Sequence, residues 1–258
     1  MRAPLAVATA LLLASCAAQP SEPAAPLRLR PHVLEKIPHD TAAFTEGLEI
    51  DGGVLYEGTG LEGRSDLRAT DPDTGRVTRR AALPKGVFGE GITVVGAVIW
   101  QLTWQDGVAI KRDRTTFAET GRATYAGEGW GLCHDGRRLV MSNGTARLTF
   151  RDPATFAETG HTEVVDAAGR PVPLLNELEC VGGAVYANVW KTDRIVRIDP
   201  GSGKVTATID LTGLLPAADR AEADVLNGIA AIPGTDEFLV TGKLWPTMFR
   251  VRFVTDGD

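Results

Sequence analysis

Apolar positions in this chain come in short bursts, each bounded by Gly, Asp or Pro, and nowhere settle into a long helical period. Runs rich in β-branched and aromatic residues, Val98-Ile-Trp100, Leu139-Val-Met141, Val185-Tyr186 and Phe238-Leu-Val240, follow turns such as Asp51-Gly-Gly53, Asp135-Gly-Arg137 and Gly182-Gly183. Such runs predict strands. Arg194–Ile198 predicts a third strand that ends at an Asp-Pro turn, and residues 204–211 predict a fourth. Only Pro216 to Asp224 reads as helical, and it is short.

The pattern repeats. Thr116-Phe-Ala-Glu-Thr-Gly121 recurs identically at Thr155–Gly160, each copy after an aspartate, and Asp71-Pro-Asp-Thr-Gly75 and Asp199-Pro-Gly-Ser-Gly203 mark the same place. Those aspartates stand 42, 39 and 47 residues apart. A second register runs through Glu46-Gly-Leu48, Glu90-Gly-Ile92, Trp130-Gly-Leu132, Glu177-Leu-Glu179 and Asn227-Gly-Ile229, with steps of 44, 40, 47 and 50 residues. Units of this length holding short strands are the signature of propeller blades. The expectation is an all-β, five-bladed β-propeller with four short antiparallel strands per blade. A β-sandwich is the alternative, but a sandwich has no reason to repeat five times.

The amino end departs from this pattern. Arg2 precedes the apolar run Leu5–Leu13, which is too short to span a bilayer and ends in Leu13-Ala14-Ser15-Cys16. That order resembles the bacterial lipobox, which implies cleavage before Cys16 and lipidation of its thiol. The expected organisation is a signal peptide over 1–15, a lipidated Cys16 with a flexible tether over 16–28, and the catalytic propeller over 29–258. The expected location is the periplasm, lipid-anchored, with Ala17 compatible with the outer membrane. The net charge of −6 with scattered Lys and Arg argues against a nucleic-acid partner. Cys133 and Cys180 each fall three residues after the signature position of neighbouring units, so an oxidising compartment permits a disulfide between them, with two buried free thiols as the alternative. No spacing of Cys and His suggests a metal site.

In a hairpin, the start of the first strand and the end of the second share one end. The signature positions therefore gather at one mouth of the axis, and Trp104, Trp190 and Lys243 join them from the ends of second strands. Phe44, Phe88 and Asn176 fall on the same rim. The result is an aromatic pocket with a few polar groups, Glu46, Glu90, Asn176 and Lys243, suited to a small ligand with an apolar and a charged part. Each member has a plainer reading, as inter-blade packing for a Trp or solvated rim for Glu46 and Lys243. Glu90, flanked by two glycines beside Phe88, is placed in an aromatic setting that raises its pKa.

These residues also carry a resemblance. Phe44-Thr-Glu-Gly-Leu48, Phe88-Gly-Glu-Gly-Ile-Thr93, Gln101-Leu-Thr-Trp104, Gly129-Trp-Gly-Leu132, Leu175-Asn-Glu-Leu-Glu179, Ala187-Asn-Val-Trp190, Asn227-Gly-Ile-Ala230 and Thr241-Gly-Lys-Leu-Trp-Pro246 together resemble the plant/bacterial-type glutaminyl-peptide cyclotransferases, or glutaminyl cyclases, from about Phe44 to Phe249. The resemblance implies a five-bladed propeller that converts N-terminal Gln of peptides and proteins to pyroglutamate, releases ammonia and needs no cofactor for catalysis, with a structural calcium admissible. It implies Glu90 as acid/base, Phe44, Phe88, Trp104, Trp130 and Trp190 as the aromatic pocket, and Asn176 and Lys243 as polar contacts. Position 46, Gln in plant members, is Glu here. Asn176 and Lys243 are alternative oxyanion donors. A monomer acting on peptides, touching the membrane only through its lipid, is expected. Two other readings compete: a metal-dependent lactonase-like hydrolase with Glu46, Asn176, Glu177 and Asn227 as an oxygen set, and a non-catalytic binding propeller of the envelope.

Overall fold

The computed structural model describes residues 25–255, so the expected signal peptide over 1–15 and Cys16 lie outside the described residues. The chain enters through β1 (Leu27–Pro38); Leu27 and Arg28, read above as tether, are thus in a strand. Next come β2 (Thr45–Asp51), β3 (Val54–Thr59), β4 (Asp66–Thr70) and β5 (Val77–Ala82), an antiparallel meander. The same meander recurs in β6 (Gly89–Val95), β7 (Val98–Thr103), β8 (Val108–Asp113) and β9 (Glu119–Thr124). It recurs again in β10 (Leu132–His134), β11 (Leu139–Met141), β12 (Arg147–Arg151) and β13 (Glu158–Glu163). A fourth copy is β14 (Leu175–Val181), β15 (Ala184–Val189), β16 (Arg194–Ile198) and β17 (Val205–Asp210).

The last unit, β18 (Leu226–Ala231), β19 (Glu237–Gly242) and β20 (Thr247–Thr255), has three strands of its own. β1 supplies the fourth, antiparallel to β20 from Leu29 opposite Thr255 to Pro38 opposite Thr247. The start of β1 also pairs in parallel with β17, Leu27 opposite Ala207, which joins two four-strand groups into one eight-stranded sheet. The helical expectation at residues 216–224 reduces to a 3₁₀ turn, Ala217–Asp219.

The first strands of the units touch in a closed cycle: β2 meets β6, β6 meets β10, β10 meets β14, β14 meets β18, and β18 returns to β2. Apolar clusters fill the gaps between successive units. Leu67, Ile92 and Phe117 pack at one gap, Trp100, Leu132 and Phe156 at the next, and Cys133, Val185 and Val196 at a third. Both faces of most strands are therefore buried, which is why they read as continuous apolar runs rather than an alternation.

The repeated aspartates have one job. Asp71, Asp113 and Asp152 each accept backbone N–H bonds from the second and third residues beyond them and a hydroxyl bond from Thr74, Thr116 or Thr155. These Asx turns fix the corner between third and fourth strands. Cys133 of β10 and Cys180 of β14 form a disulfide, Cα atoms 5.4 Å apart. They occupy neighbouring first strands, as their shared offset from the signature predicts.

Candidate active site

Four of the five units of the second register carry a β-bulge at the signature. Pairing jumps between Thr45 and Gly47, Gly89 and Ile92, Leu175 and Leu178, and Leu226 and Ile229. The skipped positions hold Glu46, Glu90, Asn176, Glu177 and Asn227. A bulge re-aims a side chain that would otherwise point into a sheet face, so a polar ring arises where apolar strands would leave none. The glycines beside them serve close approach. A Cβ on Gly91 would sit 2.5 Å from the Trp130 carbonyl oxygen, and one on Gly131 would sit 2.1 Å from that of Asn176.

Glu46, Glu90, Asn176 and Lys243 are all buried. Lys243 Nζ donates to Glu46 Oε1 at 2.6 Å, and Asn227 Nδ2 donates to Glu46 Oε2 at 3.2 Å. Glu46 and Glu90 are buried within electrostatic reach of each other, so the charge on one biases the proton on the other. Burial raises the Glu46 carboxyl to about 7, against the pull of the Lys243 charge and its hydrogen bond. Burial, then the Glu46 charge, pushes Glu90 well above the ordinary carboxylate range. Glu90 Oε2 and Asn176 Oδ1 have no hydrogen-bond partner among the described residues. A buried polar atom without a partner calls for an explanation, and a bound ligand is one.

Aromatic rings stand over this floor, half-buried or, for Trp104, 36% exposed. Phe44 and Phe88 meet edge to face at 6.1 Å, and Phe88 and Trp104 lie 5.5 Å apart. Trp130 and Trp190 meet edge to face at 5.3 Å. Lys243 Nζ sits 4.5 Å from the centre of the Phe44 ring. Trp104, Trp190 and Lys243 each stand one residue past the end of a second strand, β7, β15 and β19. All nine pocket residues expected from the sequence thus belong to one neighbourhood.

Glu177 does not present its carboxylate to a ligand. Its oxygens accept the Leu48 and Ile229 backbone N–H groups at 3.2 and 2.8 Å, tying β14 to β2 and β18. Of the oxygen set of the lactonase-like reading, Glu46 and Glu177 are thus engaged by donors, while Asn176 Oδ1 and Asn227 Oδ1 have no partner among the described residues. A residue the sequence reading passed over is Glu128. Its carboxylate accepts both indole N–H groups, from Trp104 and Trp130, at 2.9 Å each. The signal was present: Gly127-Glu-Gly129 repeats the Gly-Glu-Gly triplet around Glu90. A separate cleft of about 390 Å³ beside Trp190, lined by Lys191, Arg220, Asp224 and Trp245, contains none of the acid/base groups.

The sequence model of the Glutamine cyclotransferase family matches residues 6–253, nearly the whole chain. The chain belongs to the glutamine cyclotransferase family. A glutaminyl-peptide cyclotransferase of Arabidopsis thaliana is 38% identical over 226 residues, covering 85% of this chain and 70% of that protein. The crystal structure of Myxococcus xanthus glutaminyl cyclase superposes with a TM-score of 0.82 at 38% identity, covering 89% of this chain and 99% of that one. The Cps50 (Swd1) β-propeller domain of Myceliophteria thermophila, 10% identical, superposes with a TM-score of 0.51 over 87% of this chain and 100% of its own. That last likeness shows the fold alone. The all-β, propeller-like architecture of this glutamine cyclotransferase therefore holds, with sheets built from four-strand antiparallel units.

Proposed function

We propose that the protein cyclises the N-terminal glutamine of peptides and proteins to pyroglutamate, releasing ammonia, at the slot floored by Glu46, Glu90, Asn176 and Lys243. The observation that carries this is a buried carboxyl, Glu90, with Oε2 unpartnered, close to the Glu46–Lys243 ion pair and a cluster of aromatic rings. It offers a proton that can move within a water-poor slot.

The chemistry asks for little activation of the nucleophile. A peptide α-amine has a pKa near 7.7–8.0 and is partly free base at neutral pH. It attacks its own side-chain carbonyl carbon, a C–N bond forms, and the carbonyl oxygen becomes an oxyanion. Glu90, protonated at rest, gives its proton to the departing nitrogen and takes one from the attacking nitrogen, and the old C–N bond breaks to release ammonia. The aromatic slot folds the flexible side chain so that nitrogen meets carbon, a preorganisation worth several kcal/mol. Lys243, a donor only, faces the oxyanion with the protons that Glu46 leaves free, while Asn176 Oδ1, an acceptor, takes a substrate N–H. Phe44, Phe88, Trp104, Trp130 and Trp190 line the slot. This route uses no metal or cofactor, and a structural calcium is not part of it.

The cycle of first strands supports a count of five blades, with β1 completing the last. The Leu-Ala-Ser-Cys segment supports a signal peptide, lipidation of Cys16 and an outer-membrane periplasmic location in a bacterium, for a monomeric catalytic domain. Replacing Cys16 with Ser is expected to move the protein from the membrane fraction to the soluble periplasm; unchanged fractionation counts against the anchor. For the activity, a Gln-initiated peptide incubated with the protein is expected to lose one ammonia by mass spectrometry. An unchanged mass over long incubation rejects it and favours a binding-only propeller.

A further inference from the structure

Glu128 lies just before Trp130 on the loop between β9 and β10 and is only partly buried. A carboxylate there has no structural need to exist, since the loop already turns at Gly127, φ 78°. Yet Oε2 accepts the indole N–H of Trp104 and of Trp130, 2.9 Å each, and Oε1 accepts from Gln105 Nε2 at 3.1 Å. Trp104 comes from the end of β7 in one unit and Trp130 from the approach to β10 in the next. One carboxylate thus spans two units and sets the separation of two walls. Trp104 is among the most exposed large apolar side chains described, so little packing holds its indole. An indole has a single donor, and here both point at one oxygen.

We propose that Glu128 is a positioning residue for cyclisation: it holds the Trp104 and Trp130 indoles as fixed walls of the slot and so acts on substrate through them. The bonds are charge-assisted, the stronger class of hydrogen bond. Burial works against the charge, but the hydrogen bonds from Trp130, Gln105 and Trp104 outweigh it and keep Glu128 below the usual carboxylate range. It is therefore an anion at every pH where the substrate amine is free. Its charge also reaches Glu90, whose proton it helps retain. The inference rests on the slot being the substrate site.

Three variants test it. Glu128→Ala frees both indoles, and KM for a Gln-peptide should rise roughly tenfold or more, the loss expected for charge-assisted bonds, while kcat falls far less. Glu128→Gln keeps an oxygen where both indoles converge, so KM should stay near wild type. Its pH–rate profile should instead move to lower pH, because removing a negative charge lowers the pKa of Glu90. Trp130→Phe removes one N–H, and combined with Glu128→Ala it should cost much less than the sum of the two. Near-UV circular dichroism reports the indoles without substrate: Glu128→Ala should weaken the tryptophan bands by the share of Trp104 and Trp130, at an unchanged melting temperature. An unchanged spectrum with unchanged KM overturns the role of Glu128. A changed spectrum with unchanged KM overturns it through the slot, by showing that substrate does not rest on these walls. Glu128→Gln as damaged in KM as Glu128→Ala overturns the positioning role in favour of charge alone.

Discussion

The proton exchange proposed for Glu90 draws on three conditions that meet on one side chain. A bulge re-aims it, the flanking glycines let neighbouring backbone close over it, and the Glu46 charge beside it favours its protonated form. Remove the titratable group and keep the shape, as in Glu90→Gln, and turnover should fall by roughly 10²–10⁴, with the melting temperature near wild type. Glu46→Gln keeps one oxygen to accept from Lys243, at the cost of turning its NH2 toward the Asn227 Nδ2 donor, and should retain substantial activity. Steady-state rates on a Gln-peptide separate the two. A Glu90→Gln enzyme with normal kcat, or an inactive Glu46→Gln, would reverse their roles. The sequence disclosed these residues well, because a polar residue beside glycine in an otherwise apolar strand is a local anomaly. It did not disclose that Glu46 meets Lys243, a pairing across 197 positions. Glu128 escaped because its role lies in what two distant indoles do with it.

At the level of strands and turns, the repeated corner shows how one backbone tolerates two side chains. Gly75, Phe117, Phe156 and Gly203 occupy equivalent places, four residues after the turn aspartate, and all have φ between 62 and 71°. Glycine adopts that conformation freely. Phenylalanine does not, and it is kept there because its ring is buried, 2% and 1% exposed, between sheets. The exact Thr-Phe-Ala-Glu-Thr-Gly duplication is thus a packing device, and its spacing made the strands readable. The disulfide is the other element-level fastening. Closing a loop of 47 residues restricts the unfolded chain by about 4 kcal/mol in the entropy model. The Cys133→Ser/Cys180→Ser double variant should unfold at lower urea by up to that amount, with little change in kcat, since neither Cys lies in the slot. A variant as stable as wild type would mean the reduced chain keeps this geometry unaided.

Across the whole molecule, buried acids decide how stability follows pH. Burial raises Glu49 to about 7, as it does Glu46, and lifts Glu177 and Glu179 well above the ordinary range. A carboxyl whose folded pKa exceeds its unfolded one binds more protons when folded. Its contribution is complete below the unfolded value and is lost as pH climbs through the folded one. His39, raised by Glu57 against the effect of burial, adds in the same direction. Glu57, also opposed by burial but lowered by His39, works the other way and loses its contribution on acidification. The melting temperature should therefore fall by several degrees between about pH 5 and pH 8. Glu49→Gln, still able to accept from the Val94 N–H, should flatten that slope. A melting temperature that climbs over this range would contradict the balance. The fold as a ring of repeats was legible from periodicity. Its closure was not, because β1 pairs with strands about two hundred residues away and carries no local sign of it.

That closing strand also sets a direction. β1 runs toward the mouth: Pro38 leads through residues 39–43 to Phe44, and Leu27 lies the length of the strand away, roughly 35 Å at 3.3 Å per residue. Whatever holds the chain by its amino end holds it by the base of the cup. With the lipid proposed for Cys16, the chain would leave toward the bilayer from the end of the ring opposite the slot, so a tether there need not crowd the opening.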